Sequence, residues 1–100
     1  MISNQIIQNS IEELKNITKI DFGVFDLNGS CMASTFDTSE EEKELVVNFV
    51  ASPADSQVIG AHHLLKVMDE EEVNYILDAR GLGDDAYMMG KVVVCQLQNL

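Results

Sequence analysis

Between Ile2 and Ile17 the apolar residues Ile7, Ile11 and Leu14 recur at i, i+4 and i+7, with Glu12, Glu13 and Lys15 between them. That is the period of an amphipathic helix with one side turned to a core, and Ser3 or Asn4 stands where its N-cap belongs. The period then drops to two. Ile20, Phe22 and Val24 alternate up to Asp26, Asn28-Gly29 supplies a tight turn, and Cys31 to Thr35 is extended again, so the two runs predict a hairpin. Ser39 followed by Glu42 has the form of a capping box, and Glu40, Glu41 and Glu42 complement the positive end of the helix it would open. This helix presents Leu45, Val46, Phe49 and Val50 to the core and stops before Pro53, whose ring disfavours helical backbone in the residue ahead of it.

Gln57 to Met68 and Glu72 to Arg80 predict two longer strands, paired antiparallel and joined at Asp69-Glu70-Glu71. Ile59, Ala61, Leu65 and Val67 share one parity on the first, and Val73, Tyr75, Leu77 and Ala79 share one on the second. Gly81 and Gly83 end the last strand, Asp84 is the expected N-cap, and Ala86, Met89, Val93, Leu97 and Leu100 trace one face of a final helix. Tyr87, Met88, Val92, Val94 and Cys95 spread its apolar surface beyond one stripe, which predicts packing on two sides, and Gly90 permits close backbone approach. That helix lacks a stop signal, so the chain is expected to be a fragment of a longer protein. The predicted order is α-β-β-α-β-β-α, an α+β fold with a mainly antiparallel sheet flanked by helices.

One hundred residues, 46% of them hydrophobic, form a single domain spanning 1–100. Six Lys and Arg against 17 Asp and Glu give a net charge of -11, so the chain has no basic footprint for nucleic acid. Its two cysteines, Cys31 and Cys95, form neither a disulfide scaffold nor a metal-ligand spacing, which points to a reduced, cytoplasmic setting. No signal peptide and no run of about 18 apolar residues is present, so neither secretion nor a membrane partner is expected.

Candidate chemistry is sparse, and nothing requires an enzyme. Gly81-Leu82-Gly83-Asp84-Asp85-Ala86 matches a dinucleotide-binding loop in form, but Asp84 and Asp85 put negative charge where phosphates would bind, and a capped strand-to-helix turn explains it. Asp26-Leu27-Asn28-Gly29 lacks the first ligand and the closing Glu of a calcium loop. His62 and His63 are adjacent strand residues that point to opposite faces, so they do not chelate one ion together; His63 lies on the more apolar parity. Arg80, the single arginine, ends its strand near the glycines, where it meets an anion or pairs with Asp78, Asp84 or Asp85. A polar-tipped residue on an apolar parity requires a partner. His63, Tyr75 and Arg80 are therefore the expected ligand contacts for a small carboxylate between the sheet and the middle helix, with Arg80 dependent on a twist or bulge because it lies on the parity opposite Tyr75. No cofactor and no catalytic residue is assigned.

The stretch Asp21-Phe22-Gly23-Val24-Phe25-Asp26-Leu27-Asn28-Gly29-Ser30-Cys31-Met32-Ala33-Ser34-Thr35 resembles the opening hairpin of small-molecule sensor domains. With Ser52-Pro53-Ala54-Asp55-Ser56-Gln57 and Gly83-Asp84-Asp85-Ala86-Tyr87-Met88-Met89-Gly90-Lys91, the chain resembles the N-terminal sensory part of bacterial sugar-diacid regulators, whose C-terminal part carries a PucR-type helix-turn-helix. The resemblance implies a PAS-like (profilin-like) domain in a cytoplasmic transcription regulator, a sugar diacid or other carboxylate as ligand, and a DNA-binding part beyond Leu100. A homodimer through the first and last helices is expected from their surplus apolar surface. The rival readings are a roadblock-like dimerisation or scaffold module with no ligand, which a fully packed interior would favour, and a small enzyme, which a cavity holding a titratable pair would favour.

Overall fold

A computed structural model describes residues 3–81 and 83–99; Ile2, Leu82 and Leu100 lie outside the described residues. Along the chain run α1 (Asn4–Thr18), β1 (Asp21–Phe25), β2 (Cys31–Ser34), α2 (Glu40–Val50), β3 (Ser56–Ile59), β4 (His62–Asp69), β5 (Glu72–Arg80) and α3 (Asp84–Gln98). The five strands form one antiparallel sheet in the order β2-β1-β5-β4-β3. The α+β class is as expected, but the strand order needs one correction. Gln57–Met68 is not one strand: the chain reverses at Gly60, in the left-handed region at φ 58°, and β3 folds back on β4 with Ile59 opposite His62. Apolar alternation continues on both sides of that glycine and hides the turn, although the two segments then place their residues in opposite layers. The order is therefore α-β-β-α-β-β-β-α.

Local chemistry explains the boundaries. The Ser3 hydroxyl accepts from the Ile6 N–H and caps α1, and Lys19 ends it in left-handed backbone, donating its N–H to the Lys15 carbonyl. Between β1 and β2 the turn is wider than an Asn28-Gly29 pair. The Asp26 carboxylate accepts the N–H groups of Asn28 and Ser30, both at 2.9 Å, and Gly29 takes φ 84°. For α3 the cap is Gly83 at φ 117° and not Asp84; Asp84 and Asp85 occupy the first turn, where their charge still suits the helix dipole.

The sheet divides the core into two layers. Phe22, Val24, Leu65, Val67, Leu77 and Ala79 face α1 and α3, meeting Ile7, Ile11, Val93 and Leu97. On the other face Phe25, Leu64 and Ile76 pack against Val46 and Phe49 of α2. Gly90 lets α3 approach the sheet closely, since a Cβ there would lie 2.9 Å from Leu65 Cδ1. Its close approach serves this chain's own sheet, and Val93 is core. The apolar surface left outside on these helices is Ile6 and Ile17 of α1 and Met88 and Val92 of α3. Among the described residues no helix is long and apolar enough to cross a membrane.

Candidate functional site

The layer under α2 contains the least expected feature of the core. β5 is the central strand, and its residues alternate between the layers: Leu77 and Ala79 face α1 and α3, while Ile76 and Asp78 face α2. Asp78 is therefore a carboxyl group at 0% exposure in an apolar layer. Its register partner on β1 is Gly23, above which the rings of Phe25 and Phe36 close, each 2.9 Å from where a Cβ would stand. His62 reaches Asp78 diagonally from β4, with Nδ1 2.7 Å from Asp78 Oδ2. From above, α2 lowers Glu42, 4% exposed, until its Oε2 is 3.1 Å from the same Nδ1. A ligand atom from each of the three residues lies within 4.8 Å of the other two.

The electrostatics of this cluster are unusual. Burial, and then the Glu42 carboxylate beside it, push the Asp78 pKa up to about 9 from an ordinary 3.8, against a smaller opposing pull from Arg80. Asp78 Oδ1 is buried with no hydrogen-bond donor of the chain, and buried Glu42 Oε2 has only His62 Nδ1 beside it, a nitrogen that already lies closer to Asp78 Oδ2. An unsatisfied buried acceptor costs about 1–3 kcal/mol, and more when charged. The arrangement thus requires positive charge between the acids, as a shared proton, an imidazolium or a cation. Glu42, His62 and Asp78 are also the residues equipped to hold a metal ion.

The expected contacts His63, Tyr75 and Arg80 are not brought together. His63 faces the α1 and α3 layer, buried, and its Nδ1–H donates to the Ala79 carbonyl at 3.2 Å. Tyr75 packs in the same layer, but their register partners Ala79 and Val67 place them four residues, about 13 Å, apart along the ladder. Arg80 points to the opposite face, its guanidinium stacked over the Phe36 ring at 4.5 Å. Neither His63 nor Tyr75 therefore reaches the space between the sheet and the middle helix, because strand alternation sends both to the far side. The open depression between the β1–β2 turn and the start of α2, lined by Ser30, Cys31, Ser39 and Lys43 among others, includes none of the three.

Each member of the real cluster had an ordinary explanation in sequence. Ser39 does cap α2, accepting from the Glu42 N–H at 3.3 Å, but the Glu42 side chain turns down into the core. His62 reads as the solvent-facing neighbour of His63. Asp78 alone carried a signal: one acid within Tyr75-Ile76-Leu77-Asp78-Ala79, at the centre of an apolar strand, demands a partner. No known protein-family model matches the chain, and no curated protein matches it significantly.

Proposed function

We propose that the chain is a ligand-responsive regulatory domain of PAS-like type, serving a cytoplasmic transcription regulator whose DNA reader lies elsewhere. The observation that carries this reading is the buried Glu42–His62–Asp78 cluster between the sheet and α2. A purely structural core gains nothing from two buried acids that share one imidazole nitrogen, since burying such groups costs stability. The resemblance of Asp21–Thr35 and Gly83–Lys91 to sugar-diacid regulators supports the regulatory role. The contacts, however, move from His63, Tyr75 and Arg80 to Glu42, His62 and Asp78, and no catalytic role is assigned. Calorimetry of the chain against sugar diacids, small dicarboxylates and divalent cations is the test. Binding that weakens in Glu42→Gln is expected; a chain that binds nothing in the panel overturns the reading.

The roadblock-like scaffold is the second reading, favoured by Val47 of α2 and Val58 of the edge strand β3, which stand exposed. It requires a dimer that no panel compound perturbs.

A further inference from the structure

We propose that Glu42, His62 and Asp78 bind one divalent transition ion of the zinc class, clamped between α2 and the sheet. This deepens the regulatory reading by naming its ligand class, and for its biological consequence it rests on that reading.

Three features carry the assignment. First, the donor set is one imidazole nitrogen and two carboxylates, delivered by three separate elements to within 4.8 Å of one another. Zinc bonds of about 2.0–2.2 Å to such donors hold neighbouring ligand atoms roughly 3.4 Å apart in a tetrahedron, so closing on the ion needs only small side-chain movements. Second, Glu42 and Asp78 are 4% and 0% exposed; Asp78 keeps a buried oxygen without a donor, and the two acids compete for the single Nδ1 of His62. Third, the lining is wrong for a carboxylate ligand and right for a cation, because it offers carboxyl oxygens and one ring nitrogen, while Arg80, the neighbouring permanent cation, is stacked on Phe36.

The donors also select among ions. An imidazole disfavours magnesium and calcium, and calcium requires six to eight oxygens, whereas zinc and its neighbours accept mixed nitrogen and oxygen sets. His62, at 21% side-chain exposure, lies on the solvent side of the cluster, where water can supply a fourth ligand. Binding through Nδ1 moves the ring proton to Nε2 and ties the first turn of α2 to the two strands beneath it.

The experiment is a calorimetric titration of the chelator-stripped 100-residue chain with zinc chloride, alongside magnesium chloride. One zinc per chain, no magnesium, and a loss of at least about tenfold in zinc affinity in both His62→Gln and Glu42→Gln are expected. Imidazole nitrogen signals of the unsubstituted chain provide a readout that needs no variant to fold: zinc should shift those of His62 and leave those of His63 in place. Absence of stoichiometric zinc binding, affinity unchanged in both variants, or zinc bound with the His62 signals unmoved overturns the site. A sugar diacid that binds a chain indifferent to zinc would overturn the metal assignment and leave the regulatory reading standing.

Discussion

Asp78 dominates the chemistry at the scale of single residues. Its carboxyl titrates about 9 when folded and near 3.8 when unfolded, so between those values the folded chain retains a proton that the unfolded chain has released. The contribution of this group to stability is fully present below the unfolded value and is lost as pH rises toward the folded one, at up to about 1.4 kcal/mol per pH unit. Asp78→Asn imitates the protonated acid. In chelator-containing buffer its urea midpoint should vary less than wild type between about pH 5 and 8; a variant with the wild-type slope would place the titrating proton elsewhere. Gly23 opposite Asp78 is a second point of tension. In Gly23→Ala the new methyl would stand 2.9 Å from ring atoms of both Phe25 and Phe36, and a loss of about 1–3 kcal/mol in urea unfolding is expected.

Among elements, α2 has the most exacting position, because among the described residues it is the one helix on its face of the sheet while α1 and α3 share the other. Phe49, fully buried, is its main anchor, and Phe49→Ala should cost about 3–5 kcal/mol, read from denaturant unfolding. The same change should weaken any ligand held by Glu42, since it loosens the helix that carries the carboxylate. The β3–β4 hairpin depends on Gly60 for its left-handed turn; a Cβ there meets no atom within 4 Å, so Gly60→Ala should cost only the backbone strain of about 1–2 kcal/mol.

At the scale of the whole molecule, the expected dimer through α1 and α3 becomes a sharper proposition. Gly90 and Val93 are occupied by the chain's own sheet, so the outer face available to a second copy is carried by Met88 and Val92, one helical turn apart, with Ile6 and Ile17 on α1. Light scattering should find a dimer that the double variant Met88→Asp and Val92→Asp converts to a monomer with its melting temperature nearly preserved, whereas Val93→Asp should unfold the chain by burying a charge. A monomeric wild type at high micromolar concentration removes the dimer. The net charge of -11 opposes any close association, so the dimer should tighten with added salt.

Local periodicity and cap chemistry determined most of the elements: the helical repeat of Ile7, Ile11 and Leu14, the Ser3 and Ser39 caps, and the alternation around Phe22 and Val24 are short-range properties legible along the chain. The turn at Gly60 escaped because alternation on either side of a glycine looks the same whether or not the chain reverses there. The site escaped for a different reason. Glu42, His62 and Asp78 are separated by 20 and 16 residues; the first two are explained locally, as a helix-start acid and a surface histidine, and Asp78, an acid in an apolar strand, demands a partner without naming it. Strand register and the seating of α2 on one face decide that their polar atoms meet in the layer under α2, while His63 and Tyr75 are sent to the other. Desolvation, which turns three ordinary side chains into a cluster demanding positive charge, arises only when tertiary packing removes the water.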